Sequence, residues 1–168
     1  MLHLYYGDGK GKTTAAMGLV MRHVGAGKKV QVIQFLKDGT SSEIEVLKKM
    51  GVSLTTQKMP QKFIDMQDPI MVKEFSKIQD QLFDCIDFDC DLIVLDEILD
   101  AMQLYLLNEG KVYDIVKELE KHHEVVMTGR MPCQKLKQLS SYSTQMKKQK
   151  HPYDNGIQAR KGIEYQLC

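Results

Sequence analysis

Three glycines, two lysines and two threonines fall within eight residues near the start of the chain: Gly7-Asp8-Gly9-Lys10-Gly11-Lys12-Thr13-Thr14. Residue types at this spacing bind phosphate. The glycines let backbone N–H groups turn inward and approach an anion with no Cβ in the way. A helix starting just after them adds unpaired N–H groups and the positive end of its dipole. Lys12 supplies a mobile point charge, and the Thr13 hydroxyl is a hard oxygen ligand for Mg²⁺. The general phosphate-loop pattern also asks for a glycine where Tyr6 stands. Gly7 and Gly9 take over the loop instead, and the stretch is read as a triphosphate site.

A second chemical group lies at Asp96-Glu97, where the apolar run Leu92-Ile93-Val94-Leu95 ends in two carboxylates. Such a pair completes a phosphate-loop site: one carboxylate holds Mg²⁺ directly or through water, and the other acts as base or further ligand. Glu97 is the expected metal ligand, with Asp96 in support. A third group is Arg130, placed after Glu124-Val125-Val126-Met127-Thr128. There a guanidinium can offset charge developing on a leaving phosphate.

These groups need a scaffold that brings distant segments to one edge. Leu2–Tyr6 reads as a strand, and apolar spacing from Lys12 to about Val24 reads as a helix closed by Gly25-Ala26-Gly27. A second strand covers 30–36, which completes a βαβ unit. Ser42 and Glu45 have the spacing of a capping box for a helix through Lys49. A short strand follows at 52–56, then a polar loop to Met66. Asp68-Pro69 opens a long helix whose seam is Met71, Phe75, Ile78, Leu82 and Ile86. Further expected elements are strand 91–97, helix 98–107, a helix carrying Val112, Ile115, Val116 and Leu119, strand 124–128, a short helix after Pro132, and a last parallel strand at 142–146. Strands alternating with helices make the pattern α/β. Ligands of such sheets sit at the carboxyl ends of the strands.

Composition narrows the function classes. The 168 residues suit one domain, 1–168, with the tail 147–168 packed on it. The net charge of +1 offers no broad basic field for nucleic acid. There is no apolar run of the roughly 18 residues that a membrane span needs. A strand at the very start leaves no room for a signal peptide, so a cytoplasmic location is expected. The four cysteines show no CxxC pairing and are read as reduced thiols. His23 is read as structural. His122-His123 face different ways and are rejected as a metal pair. Asp84, Asp87, Asp89 and Asp91 are read as a solvated acidic corner.

In five ordered motifs the chain resembles the ATP:corrinoid adenosyltransferases of cobalamin biosynthesis and salvage. The marks are 7–16, Gln34-Phe35-Leu36-Lys37, Leu95-Asp96-Glu97, Thr128-Gly129-Arg130, and Lys150-His151-Pro152-Tyr153-Asp154 with Gly156 and Gly162-Ile163-Glu164. That family also lacks the first loop glycine. The resemblance implies a three-layer α/β fold, a mainly parallel sheet with helices on both faces of the phosphate-loop NTPase, RecA-like kind, and ATP bound on the loop in a reversed sense, with Mg²⁺ or Mn²⁺. It implies attack by the Co(I) of a reduced corrinoid on the ribose C5′, and release of triphosphate. It further implies a homodimer and an electron-donor reductase such as a flavoprotein. Lys12 and Arg130 then become the catalytic candidates, residues 7–14 the nucleotide site, and Thr13, Asp96 and Glu97 the metal site.

Two departures concern the corrinoid. The family carries a Gly-Phe-Thr-Trp-like stretch over the corrinoid face, whereas this chain has no Trp. Phe63 or Met59 is the candidate substitute. Ser141 and Gln145 stand where the family tends to have Asp and Glu. Two other readings therefore compete: an ATP-binding regulatory or corrinoid-carrier protein on the same scaffold, and an ordinary phosphate-loop ATPase or nucleoside kinase.

Overall fold

A computed structural model describes residues 1–57 and 65–163. Met59 and Phe63, the two corrinoid candidates, lie outside the described residues. The strands are β1 (Leu2–Tyr6), β2 (Val30–Gln34), β3 (Ser53–Thr55), β4 (Leu92–Asp96), β5 (Glu124–Gly129) and β6 (Tyr142–Gln145). The helices are α1 (Lys12–Gly25), α2 (Glu43–Lys49), α3 (Pro69–Gln81), α4 (Ile98–Gln103), α5 (Glu109–Leu119) and α6 (Gln134–Leu139). The strands form one six-stranded sheet in the order β3-β2-β4-β5-β1-β6. Every pairing is parallel, so the sheet is wholly and not merely mainly parallel.

Strand periodicity builds the three layers. Successive side chains point to opposite faces, and β4 shows it directly. Ile93 and Leu95 join a core with Leu2, Leu4, Ile98, Leu99, Val112 and Leu136, beneath α4, α5 and α6. Leu92 and Val94 join the opposite core with Ala16, Val20 and Leu47, beneath α1 and α2. Being covered on both faces, β2 and β4 are buried along their whole length, as parallel strands require. The edge strand β6 is exposed throughout and correspondingly polar.

The local cues succeed unevenly. Asp68 caps α3 through Oδ1, which accepts from Ile70 N at 2.9 Å, with Pro69 at the first helical position. The Ser42–Glu45 capping box does not form. Ser42 is itself in helical conformation with no side-chain cap bond, and Glu45 pairs with Lys48 at 3.0 Å instead. A capping serine needs extended backbone to swing its hydroxyl back over the first N–H groups. The expected continuous helix to Ile86 breaks after Gln81 into a 3₁₀ turn over Leu82–Cys85. That tighter turn buries Leu82 and sets Phe83 against Phe35, 5.5 Å between ring centroids. Helix α4 likewise ends at Gln103 rather than Leu107.

The topology has one consequence for the site. β5 lies between β1 and β4, so the phosphate loop and the Asp96-Glu97 pair flank the end of β5. Gly129 ends that strand at φ +146°, and a Cβ there would stand 2.5 Å from Leu99 Cβ and 2.9 Å from Asp100 N. Helix α4 can approach the strand only because this residue has no side chain. Gly129→Ala is expected to destabilise the fold by about 2–4 kcal/mol, combining strained backbone with overpacking. Gly18→Ala, in α1 with open space around it, should stabilise it by about 0.5–1 kcal/mol. Urea denaturation of both variants measures the contrast.

Candidate active site

The phosphate loop runs from the end of β1 into α1 and is shaped by what crosses it. Gly7 has φ +122°, and a Cβ on it would meet the Met146 carbonyl oxygen at 2.2 Å. The chain leaving β6 passes directly over the loop: Gly9 N donates to Met146 O at 2.8 Å, and Met146 N donates to Tyr6 O at 2.7 Å. Tyr6 is therefore a strand residue, paired with Gly129 on one side and Gln145 on the other. Gly11 takes φ +109° immediately before α1. Lys12 Nζ donates to Gly9 O at 2.9 Å, folding the lysine back over its own loop. Asp8 faces outward and accepts from Lys148 N at 3.1 Å. Its carboxyl is held below the ordinary value by that N–H, its own backbone and the nearby lysines. Lys10 Nζ donates to the Ile163 carbonyl. The tail thus reaches the loop through polar contacts, while residues 153–163 are exposed along their length.

Asp96 is fully buried at the end of β4 and gathers donors from four segments. Its Oδ1 accepts from Thr13 Oγ1 at 2.9 Å and from Thr128 Oγ1 at 2.7 Å. Its Oδ2 accepts from Lys37 Nζ at 2.8 Å and from Gln34 Nε2 at 3.3 Å. Glu97 follows in left-handed conformation, φ 61°. This is uncommon for a residue with a side chain. Its N–H donates to Thr128 Oγ1 at 2.8 Å, which holds the turn. Lys37 Nζ also lies 3.1 Å from Glu97 Oε1. Burial alone would lower the Lys37 ammonium, yet Asp96 and then Glu97 outweigh it and hold the lysine above its ordinary value. Burial pushes the Glu97 carboxyl up, against the pull of Lys37.

A cavity of about 640 Å³ opens beside these groups, bordered by Lys10, Lys12, Thr13, Lys37, Glu97 and Ile163. The donor set suits Mg²⁺, a hard cation that takes oxygen ligands and keeps much of its water. The Thr13 hydroxyl and the part-exposed Glu97 carboxylate border the cavity and would hold such an ion, Thr13 now donating to Asp96 and Glu97 now lying against Lys37. Asp96 accepts four hydrogen bonds, one of them from Thr13, so it would face the ion as the buried half of the acidic pair and orient the Thr13 hydroxyl. Arg130 directly follows β5, where its carbonyl accepts from Gly7 N at 3.0 Å, while its side chain is 77% exposed with Nε 3.9 Å from Asp100 Oδ1. It does not border the cavity. Burial pushes the Asp100 carboxyl up, opposed first by the Arg130 N–H.

The structure thus brings Thr13, Asp96 and Glu97 together beside Lys12 and leaves the Arg130 side chain outside the cavity. Two residues of the constellation, Lys37 and Thr128, carried no assigned role in the sequence reading. Thr128 lies near the end of β5 and Lys37 just beyond β2, the two strands adjacent to β4, so strand order would have found them. His23 Nδ1 lies 3.2 Å from Leu19 O, and His123 Nδ1 lies 2.7 Å from Cys90 O. Asp91 is tied to Lys28 at 2.9 Å. Cys85, Cys90 and Cys133 are free thiols, Cys90 being pushed up to about 11 chiefly by burial. No described helix is long and apolar enough to cross a membrane.

The parallel sheet with helices on both faces, and the glycine-rich loop joining β1 to α1, define a fold of the phosphate-loop NTPase kind. The chain belongs to the family ATP:corrinoid adenosyltransferase BtuR/CobO/CobP, whose pattern it matches over residues 1–165. It is 32% identical to the corrinoid adenosyltransferase of Escherichia coli K12, covering 96% of this chain and 84% of that one. It is 32% identical to that of Pseudomonas aeruginosa, covering 98% and 83%. With the corrinoid adenosyltransferase of a Sinorhizobium species the identity is 28%, covering 95% and 77%.

Two measurements probe this geometry. Thr128→Val removes the hydroxyl that bonds both Asp96 and Glu97 N while keeping the shape, and should cost about 1–3 kcal/mol in urea denaturation. Glu97→Gln should raise stability at neutral pH. The folded-state carboxyl titrates above its ordinary 4.5, so as pH rises through that value the unfolded chain ionises first and gains. The advantage should vanish well below pH 4.5, where both states are neutral. An advantage that instead grew toward acid would refute the assignment.

Proposed function

We propose that this chain transfers the 5′-deoxyadenosyl group of ATP to the Co(I) of a reduced corrinoid and releases triphosphate. The observation that carries the reading is the family match over 1–165, to which the site adds a fitting set of groups. In this reaction the corrinoid cobalt is the nucleophile. A Co–C bond forms to C5′, the C5′–O bond breaks, and its electron pair leaves with the triphosphate. The protein need supply no nucleophile, acid or base. Its tasks are to hold C5′ in line and to stabilise the triphosphate as it gains charge.

The residues divide these tasks. Within residues 7–14 the N–H groups of Gly7 and Gly9 are taken by the carbonyls of Gly129, Arg130 and Met146, so the other loop N–H groups, with Lys12 and Lys10, would hold the phosphates. Thr13 and Glu97 would hold Mg²⁺ or Mn²⁺, which supplies positive charge at the polyphosphate, while Asp96 fixes the Thr13 hydroxyl. Arg130, whose carbonyl meets Gly7 N, offers an exposed cation next to the loop. Met59 and Phe63 remain the candidates to face the corrinoid. The working form is proposed to be a homodimer in the cytoplasm, supplied with electrons by a reductase such as a flavoprotein.

The test is anaerobic. Chemically reduced cob(I)alamin, Mg²⁺-ATP and the protein should produce the adenosylcobalamin spectrum together with stoichiometric triphosphate. Lys12→Ala should lower that rate by about 10²-fold or more, since it removes a preorganised charge from the leaving group. ATP binding without any spectral change, across a panel of complete and incomplete corrinoids, would instead identify a carrier or regulatory protein. Release of phosphate or ADP without corrinoid would identify an ATPase.

A further inference from the structure

The Lys37 ammonium occupies the place in this site where a cation is wanted. It lies 2.8 Å from Asp96 Oδ2 and 3.1 Å from Glu97 Oε1, bridging the two carboxylates that the metal would face. Its side chain is 20% exposed and Asp96 is fully buried, so the attraction acts where water screens it little. Lys37 also borders the same cavity as Lys12 and Thr13. It has a four-carbon stem and follows directly on Leu36, a residue at φ 56° that directs the chain across the carboxyl edge of β4.

We propose that Lys37 is a resident counter-ion, which keeps a divalent cation off the Asp96–Glu97 pair until nucleotide arrives and then transfers its ammonium to the polyphosphate. A divalent ion and an ammonium cannot share the same two carboxylate oxygens without strong repulsion at a separation of a few ångströms. Bare Mg²⁺ therefore meets a site already neutralised in part. An incoming polyphosphate offers Lys37 a second anion within the same cavity, and the carboxylates are released as the metal enters with its nucleotide. Lys37 is in this sense a positioning residue. It couples metal loading to nucleotide binding and leaves the carboxylates compensated between turnovers. By linkage, nucleotide must then tighten metal binding by the same factor as metal tightens nucleotide binding.

The inference rests on Asp96 and Glu97 as the metal-facing carboxylates, and its test needs no corrinoid. Mn²⁺ is titrated against the full chain by electron paramagnetic resonance, with and without ATP. The wild-type chain should take up Mn²⁺ weakly alone and much more tightly with ATP. Lys37→Met should tighten nucleotide-free Mn²⁺ binding by roughly tenfold or more, because the competing charge is gone. Adding Glu97→Gln to that variant should abolish the gain, and Lys37→Arg, which keeps the charge, should remain closed to the ion.

Unchanged nucleotide-free affinity in Lys37→Met would overturn the proposal. So would tight nucleotide-free binding to the wild-type chain that Glu97→Gln removes, a result that can be read even if Lys37→Met fails to fold. Should Mn²⁺ behave as expected while the corrinoid assay shows no transfer, the counter-ion role stands and the transferase reading falls.

Discussion

A buried carboxylate must be compensated on every side, and Asp96 is where this molecule meets that demand. An uncompensated charge in the interior costs several kcal/mol or forces the group to neutralise. Asp96 is fully buried, and its compensation comes from Thr13 on α1, Thr128 on β5, Gln34 on β2 and Lys37 just beyond β2. Three strands and the first helix are thereby pinned at one point. Gln34 turns its amide N–H toward the carboxylate and leaves its own buried Oε1 with no hydrogen-bond partner. A lost bond to a neutral oxygen costs less than a poorly solvated charge.

The arrangement concentrates strain where the chemistry is expected. Glu97 holds a left-handed backbone, Gly129 is pressed against α4, and Gly7 and Gly9 lie under the Met146 peptide. Each is tolerable because an adjoining contact over-determines it: Thr128 for Glu97, the absent side chain for the glycines. Cations surround the phosphate loop while the carboxylates collect to one side. A leaving group that becomes more negative and a metal that is positive each find complementary ground within one cavity.

The crossing of the loop by the chain after β6 gives the edge strand a purpose beyond closing the sheet. β6 is short, polar and exposed, and little hydrophobic burial holds it. Its ties are the ladder to β1 and the peptide contacts of Met146 with Tyr6 and Gly9. The polar contacts from Lys148 to Asp8 and from Lys10 to the Ile163 carbonyl continue the same seam. The C-terminal segment is thus coupled to the loop through backbone groups, a kind of contact that side-chain identity scarcely records.

Much of this was legible in the residues themselves. Glycine spacing, the apolar run ending in Asp96-Glu97, and alternating or helical periodicity are local signals, and local signals specify strands, helices and the anion loop. They also placed the Asp68 cap, where the cap needs only its own next turn. Signals that depend on backbone conformation at one residue failed, as at Ser42, whose helical φ and ψ disable the expected cap. So did helix length, because burial of Leu82 and Phe83 tightened the end of α3 into a 3₁₀ turn. Strand order lay wholly beyond the sequence. Only the tertiary structure places β5 between β1 and β4, because parallel strands are joined by long crossovers whose landing point is set by packing on both faces. That order lets Thr128 join the Asp96 carboxylate to the Glu97 N–H, brings Lys37 across from β2, and leaves the Arg130 side chain exposed outside the cavity.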